Sequence, residues 1–441
     1  MTSDKKYEFI KNNIIPSMIK NNDCFNNQTL TDCILDDSVQ SIDGFMSKIY
    51  KINLVTQDTG ENGIKYNYPI IVKIMKGDQA FRTKTKSNQQ FTNEIYIYSD
   101  VIPAFHQLVQ SSKSQINVDN WSPKVYYSNK GKFDGFSDEY ETILVLENLA
   151  PQGFKGGPRL DLDEDHLYLM TKLIAEYHSC NYAMKILKDL KYEKLSSGLV
   201  PLRFNDERNF WHILYEHGME RTYKYLDAKP AHFKDDKFKQ DMINLKNKYY
   251  DKPVDILEMM LRNDEHYSII LHGDYNRNNI LFKYDENGKP IDIRMIDYQE
   301  VRYATPLLDL SFYFFMNMNP NIREQFWDVL LKYYHDCMTK SLIDILKCDR
   351  SDERLEPYSY ENFIKHFAQC AFYGVMICIH FMPWMSSPEE DCEKMTKVFE
   401  ERIESQEFHD GVLVLGGEPT DERIISILKF ASKKGYMKIF E

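Results

Sequence analysis

The sequence predicts an α+β protein in two parts: a β-rich N-terminal part built on an antiparallel sheet with one key helix, and a mostly helical C-terminal part. Three observations carry this. Two β-rich runs, Phe45–Val55 and Tyr68–Met75, flank the turn Asp58-Thr59-Gly60-Glu61-Asn62-Gly63 and predict an antiparallel hairpin. The breaker-rich stretch Pro151-Gln152-Gly153-Phe154-Lys155-Gly156-Gly157-Pro158 marks the best boundary in the chain. Beyond it the apolar period becomes helical, with Leu167, Met170, Leu173, Ile174 and Tyr177 on one face of Asp163–Leu190. A chain of 441 residues suits two such units better than one core, and the expected division is 1–150 and 151–441.

The elements follow in order. The first forty residues or so are polar and Asn-rich, with helical patterning around Tyr7–Ile19. After the hairpin, Phe91, Ile95, Tyr98 and Ile102 recur at helical spacing, and Pro103 is expected to limit that helix. Pro123–Tyr127 and Thr142–Leu146 are further strands. Asp163 or Asp165 is placed to cap the long helix that follows the boundary. Helical stretches cross residues 205–266. A β-rich island then spans Ser268–Ile296, where Asn287-Gly288 marks a second hairpin. From Pro306 the chain is helical again, apart from a short apolar run near Val412–Leu415.

Composition narrows the function. The net charge of −12 argues against nucleic-acid backbones and anionic membranes as partners. The short basic stretch Arg82-Thr83-Lys84-Thr85-Lys86 is expected to be a solvated loop. The eight cysteines have irregular spacing and no CxxC, which fits reduced thiols in a cytoplasmic protein. The N-terminus leads into no apolar signal core. Phe367–Met385, the most apolar stretch, is broken by Gln369, His380 and Pro383 and is expected to be a buried helix rather than a membrane span.

The sharpest feature is Leu271-His272-Gly273-Asp274-Tyr275-Asn276-Arg277-Asn278-Asn279, followed across the hairpin by Ile296-Asp297-Tyr298-Gln299. Asp274 lies in a loop entered from the β-run Ile269–Leu271, and Asn279 opens the next strand. This set supplies what phosphoryl transfer needs. One carboxylate, Asp274, accepts a hydrogen bond from an attacking hydroxyl; a neutral amide oxygen, Asn279, and a second carboxylate, Asp297, hold Mg²⁺ on phosphates. The competing reading is local turn chemistry, because Asp, Asn and Gly all favour turns.

The segment Leu271–Leu310 resembles the catalytic core of the ecdysteroid kinase-like family, a member of the choline kinase and aminoglycoside phosphotransferase group of the protein-kinase-like fold. The resemblance rests on Asn278-Asn279, Ile296-Asp297-Tyr298-Gln299, Arg302-Tyr303, Pro306 and Asp309-Leu310. It extends more weakly through most of the chain. Ile71-Val72-Lys73-Ile74-Met75 is similar to the strand bearing the nucleotide-binding lysine, and Phe91–Tyr96 to the helix whose glutamate, here Glu94, pairs with it. Leu144–Leu149 is similar to the hinge, where Glu147 and Leu149 would meet adenine through the backbone. Asp43–Ser47 would be the phosphate loop, with Gly44 and Ser47 near ATP. The chain departs from the pattern at Asn276, where the family often has Trp, at Asn148, where it often has an acid, and in a Gly-poor phosphate loop.

The resemblance implies a two-lobed protein-kinase-like fold and an ATP- and Mg²⁺-dependent kinase. Its acceptor would be a small hydroxylated molecule, with ecdysteroids the named class. The alternatives are a choline-, ethanolamine- or sugar-type kinase, and a non-catalytic binding protein of the same fold. Several residues carry two readings. Lys73 is a phosphate ligand held by Glu94 or a water-facing lysine on an edge strand. His272 fixes the catalytic loop or is a core histidine. Asp309 holds the loop's backbone, as the resemblance implies, or caps its own helix. His178 and the Phe312–Met316 cluster are expected in the core.

Overall fold

The computed structural model describes residues 4–36, 47–60, 63–204 and 207–441, without the side chain of residue 138. The chain divides into two compact units.

The first unit comprises Met1–His106, Asn117–Lys155 and Leu281–Gln299. It opens with helix α1, Lys5–Phe9, which runs through a π turn, Ile10–Ile14, into Ile15–Asn21. Asp4 caps it, accepting from the Lys6 N–H. A five-stranded antiparallel sheet follows, with β1 (Gln28–Leu35), β2 (Ser47–Asp58), β3 (Lys65–Met75), β4 (Val125–Phe133) and β5 (Ser137–Glu147) in the order β1-β2-β3-β5-β4. Tyr50, Ile52 and Leu54 point to one face of β2, as the period of two requires, and pack with Ile70 and Val72 in one core with Ile10, Ile14, Ile15 and Met18 of the helical run that continues α1. The expected hairpin is β2–β3, with Asn53 opposite Pro69. The edge strand β1 was not expected: Gln28, Thr29, Thr31 and Asp32 leave no apolar alternation to read.

Helix α2, Ser87–Tyr96, does not stop at Pro103. It passes through a π turn, Ile97–Val101, into a further helix, Ile102–Ser112. Proline clashes with the carbonyl of residue i−4 and offers no N–H, so a wider turn just before it lets the helix continue. The basic stretch is also not a solvated loop. Helix Gln79–Thr85, capped by Asp78, contains it up to Thr85, with Lys86 as the left-handed C-cap, and Arg82 is buried with its guanidinium 3.1 Å from Glu141. The second hairpin, Ile280–Tyr284 with Pro290–Met295, belongs almost wholly to this unit.

The second unit comprises Gln107–Ile116, Gly156–Ile280 and Glu300–Glu441. Helix α3, Glu164–Ile186, is capped by Asp163, which accepts from the His166 N–H. Helices α4 (Phe210–Ala228), α5 (Leu307–Asn317), α6 (Pro320–Leu346) and α7 (Phe372–Ser386) form much of the rest. Every residue of α5 is buried, and α3 packs along α6. Where α5 meets α7, a Cβ on Gly374 would lie 2.3 Å from the Ser311 carbonyl oxygen, so only glycine permits that approach. The Val412–Leu415 run forms the end of helix Gln406–Val414, with Leu415 as its C-cap, rather than a segment outside helical structure. Among the described residues no single helix is long and apolar enough to cross a membrane.

Candidate active site

In the first unit the residues converge on Lys73. Its strand, β3, has β2 on one side and β5 on the other, so the reading as an edge-strand lysine fails. The side chain is buried. Nζ donates to Glu94 Oε1 at 3.0 Å and Oε2 at 2.9 Å, and to Asp297 Oδ1 at 3.0 Å. It also lies 5.4 Å from the Phe91 ring centroid, on the same helix that carries Glu94. Burial opposes the Lys73 charge, but Asp297 and Glu94 outweigh it and hold the ammonium above the ordinary lysine range. Burial pushes the Glu94 carboxyl up, to about 7, despite the attraction of Lys73.

Asp297 differs from Glu94 in exposure. Its side chain is 33% accessible, against 1% for Glu94, so one carboxylate anchors the lysine from inside while the other retains an open edge. Asp297 sits at φ 65°, in the left-handed region that costs a non-glycine residue of order 1 kcal/mol or more. Gln299, with its amide oriented to satisfy both neighbours, donates to Asp297 Oδ1 (3.2 Å) and accepts from Lys73 Nζ (3.3 Å). The sequence motif contains Gln299, but nothing in its spacing indicates that it touches the pair.

The adenine-facing candidates lie at the end of β5. The Glu147 N–H donates to the Lys124 carbonyl at 2.8 Å, and its carboxylate accepts from Gln152 Nε2 at 2.6 Å. The Leu149 carbonyl accepts from the N–H groups of Gln152 and Phe154. Its N–H, by contrast, meets no acceptor among the described residues, and Leu149 is buried. A buried backbone donor of this kind calls for a partner. Ser47 opens β2 opposite Met75 and is buried. Gly44 and the rest of the expected phosphate loop lie outside the described residues.

In the second unit the loop 272–279 is held from below by one carboxylate. Asp309 accepts from the His272 N–H (2.9 Å, Oδ2) and the Gly273 N–H (2.8 Å, Oδ1). The helix N-cap is Pro306, so Asp309 is not the cap of its own helix. Asp309 Oδ2 also meets His178 Nε2 at 3.2 Å, and His178 Nδ1 meets the Tyr334 hydroxyl at 2.8 Å. Burial lowers the His178 pKa despite Asp309, which favours the neutral ring. His178 is thus a core residue, as expected, but one that orients the loop's anchor; a lone histidine at a helical position gives no sign of such a partner. His272 is fully buried, its ring edge-on to Tyr275 at 5.6 Å. Gly273 has φ 84°, and a Cβ there would lie 1.9 Å from the Glu300 carbonyl oxygen, so both conformation and space demand glycine.

That anchored backbone presents Asp274. Asn276 Nδ2 donates to its Oδ1 and Asn279 Nδ2 to its Oδ2, both at 2.7 Å. Asn279 Nδ2 also reaches the Asp274 carbonyl at 2.9 Å. Asn276 in turn accepts from the Asn278 N–H at 2.9 Å, which closes the short turn Arg277–Asn279. The departure at Asn276 therefore places a second amide on the carboxylate. With its Nδ2 committed to Asp274, Asn279 keeps its carbonyl oxygen, to which no described residue donates.

A metal is tested by the same donors. Among the described residues no group of three or more His, Cys, Asp or Glu side chains is placed to hold one. Asn279 in the second unit offers an amide oxygen and Asp297 in the first a half-open carboxylate, each by itself of a donor type that Mg²⁺ takes, since that ion typically uses one or two protein oxygens and completes its shell with phosphate and water.

The chain matches the ecdysteroid kinase-like family over residues 41–347. No curated protein matches it. Among solved structures it is similar to an ethanolamine kinase of Plasmodium vivax, at 14% identity over 92% of this chain and 86% of that one, with a TM-score of 0.36. It is similar to a choline kinase of Cryptosporidium parvum, at 12% identity over 96% of this chain and 94% of that one, TM-score 0.35. A macrolide 2'-phosphotransferase from Brachybacterium faecium aligns at 8% identity over 90% of this chain and all (100%) of that one, TM-score 0.33. The family match spans more than half of the chain, which therefore belongs to the ecdysteroid kinase-like family of small-molecule kinases.

Proposed function

We propose that the protein transfers the γ-phosphate of ATP to a hydroxyl of a steroid or other lipid-like alcohol, with Asp274 as the base. The observation that carries the reading is the Asp274 loop itself. Both carboxylate oxygens accept a side-chain amide, and the backbone just before it, at His272 and Gly273, is fixed through Asp309, so the acid is held ready for an incoming hydroxyl. In this reading Asn279 and Asp297 hold Mg²⁺ on the phosphates and Lys73, placed by Glu94, neutralises phosphate charge. Glu147 and Leu149 meet adenine, for which the unused Leu149 N–H is the supporting feature. Residues 1–150 serve the nucleotide and 151–441 the catalytic loop and acceptor.

Asp274→Asn tests this. The substitution keeps the shape and removes the proton acceptor, so kcat should fall by about 10²–10⁴-fold. ATP affinity in a separate titration should change far less, because Lys73, Asn279 and Asp297 remain. A variant with near-normal kcat, or one whose only defect is lost ATP binding, refutes the assignment. A choline or ethanolamine acceptor is the second reading, favoured only by the resemblance of the catalytic segment to that wider group.

A further inference from the structure

Helix α3 turns a polar stripe toward the chain that leads into Asp274. His178, Asn181, Tyr182 and Lys185 recur at i, i+3, i+4 and i+7, which places them on one helix face. The first three are buried, and buried polar groups are costly unless each finds a partner. Lys185 Nζ donates to the carbonyls of Glu265 (2.7 Å), His266 (3.3 Å) and Ser268 (2.7 Å). The Tyr182 hydroxyl donates to the Tyr267 carbonyl at 3.1 Å. Asn181 Oδ1 accepts the Ile270 N–H at 3.2 Å, and its Nδ2 is tied to the Tyr177 carbonyl at 3.0 Å. His178 reaches the His272 N–H through Asp309 Oδ2. Every member of the stripe therefore serves residues 265–272.

Helix and strand keep step. Alternate residues of an extended chain turn their backbone groups to opposite sides. Ile269–Ile270 pairs with Tyr303–Ala304 in a two-stranded sheet, and on that side the Leu271 N–H donates to the Arg302 carbonyl at 2.9 Å. Residues 268, 270 and 272 face the other side, where Lys185, Asn181 and the His178–Asp309 pair receive them in turn. Three or four helical residues rise about 4.5–6 Å, close to the roughly 6.6 Å of two strand residues. Helix α3 thus stands where a further strand would. The simpler reading makes Lys185 a cap for its own helix, since it sits in the last turn of α3. Its hydrogen bonds go elsewhere: the three acceptors lie 80, 81 and 83 positions further along the chain.

We infer that Lys185 is a positioning residue for phosphoryl transfer: by gathering three carbonyls it sets the start of the extended run whose end presents Asp274. The inference rests on the kinase reading above. Asp309 fixes the run at His272 and Gly273, and Asn181 fixes it at Ile270. Lys185 and Tyr182 tie the turn before it to the same helix. An ammonium has three donors and no acceptor, and here all three are used on one segment. Methionine, of similar length, supplies none. Without Lys185 the carbonyls of Glu265, His266 and Ser268 lose their charged donor, and a two-residue strand pair is left with Tyr182 to hold that end of the run. The effect reaches the reaction through Asp274, so it belongs in kcat rather than in ATP affinity.

The test uses the full chain with Mg²⁺-ATP and ecdysone as the acceptor probe, and reads hydrogen exchange over residues 268–273 in parallel. Lys185→Met should lower kcat about tenfold, less than the roughly 10²-fold of a 1 Å misplacement, because Asn181 and Asp309 still hold the run. KM for ATP should stay unchanged. Exchange at the Ile270 and His272 amides should quicken, while the amides of α7 exchange as in the wild type. Lys185→Arg, which restores donors and charge, should recover most of kcat. Lys172→Met, at an exposed position of the same helix, should change none of these. Wild-type kcat and wild-type exchange in Lys185→Met overturn the inference. So do equal losses in Lys185→Met and Lys185→Arg, or a fall in kcat no larger than the fraction unfolded in a urea titration. The kinase reading fails separately. If the wild type transfers no phosphate to ecdysone, the exchange comparison alone decides: faster exchange in Lys185→Met keeps Lys185 as the residue that positions the Asp274 loop, and equal exchange ends that role.

Discussion

Asp309→Asn exposes how the catalytic loop is held. The two Asp309 oxygens serve three donors or potential donors: the His272 N–H and His178 Nε2 on Oδ2, and the Gly273 N–H on Oδ1. An asparagine of the same shape offers one oxygen. If its oxygen takes the Oδ1 position, the new NH₂ faces the His272 N–H, and His178 compensates only by shifting its proton toward Tyr334. If the oxygen takes the Oδ2 position, the NH₂ faces the Gly273 N–H. Either way one buried backbone N–H loses a charged acceptor and meets a donor. A hydrogen bond to a charged group contributes about 1.5–3 kcal/mol, and an unsatisfied buried group costs about 1–3 kcal/mol, so a loss of roughly 2–4 kcal/mol is expected. Gly273 cannot absorb the change by moving, because the Glu300 carbonyl is already against its Cα. Urea unfolding should show that loss, and hydrogen exchange should show earlier opening of the 272 and 273 amides. In the kinase reading, kcat should fall by about 10²-fold, the cost of a displacement near 1 Å in the attacking geometry. A variant within about 0.5 kcal/mol of wild type, with normal exchange at both amides, would refute Asp309 as the anchor.

Further outcomes follow from other contacts. Lys73→Met and Glu94→Gln should each impair nucleotide binding, the second less, since Lys73 keeps Asp297 as a partner. Their double mutant should show a coupling of about 0.5–3 kcal/mol, and strict additivity in binding titrations counts against a coupled pair. Asp297→Asn should weaken Mg²⁺-dependent nucleotide binding and nearly abolish turnover, whereas ATP titrated with chelator present should bind wild type and variant alike; wild-type turnover by the variant at low Mg²⁺ removes Asp297 from the metal. Burial lowers the His380 pKa from its ordinary 6.5 to about 3. The unfolded chain then binds the extra proton first, so this residue's contribution to stability is full above pH 6.5 and declines as pH falls toward 3. Between pH 6.5 and 5 the loss is about 2 kcal/mol, and His380→Phe should flatten that part of a urea-midpoint profile; an unchanged slope would show that His380 titrates as it does in water.

The parts of this site that the sequence made legible are those set by the backbone. Gly273 is required by a positive φ and a close carbonyl, and Asn287-Gly288 by the hairpin turn, so residue identity alone points to the structure. The long helix α3 and its Asp163 cap follow from period and capping chemistry in the same way. Lys73 was half legible. Its apolar neighbours indicate a strand, but only the pairing order shows that the strand is central and that the lysine turns inward.

What stayed hidden depends on partners distant in sequence. His178 and Asp309 are separated by 131 positions, and neither position's neighbours predict the other. Gln299 stands two residues beyond Asp297 where the strand has already ended at Met295 and the chain at Asp297 is left-handed, so neither a strand nor a helix period applies where the contact forms. Strand β1 and the helix past Pro103 were missed for a related reason: an edge strand with a polar surface lacks alternation, and a π turn supplies a local solution that simple helix-breaking rules exclude. The departure at Asn276 gives the same lesson in reverse. Judged against the family pattern it looks like a lost aromatic; in the structure its amide stands 2.7 Å from one Asp274 oxygen, opposite Asn279 on the other. A substitution at a motif position thus replaces packing with a directed hydrogen bond, and its effect on the carboxylate follows from where the amide points rather than from its distance to the pattern.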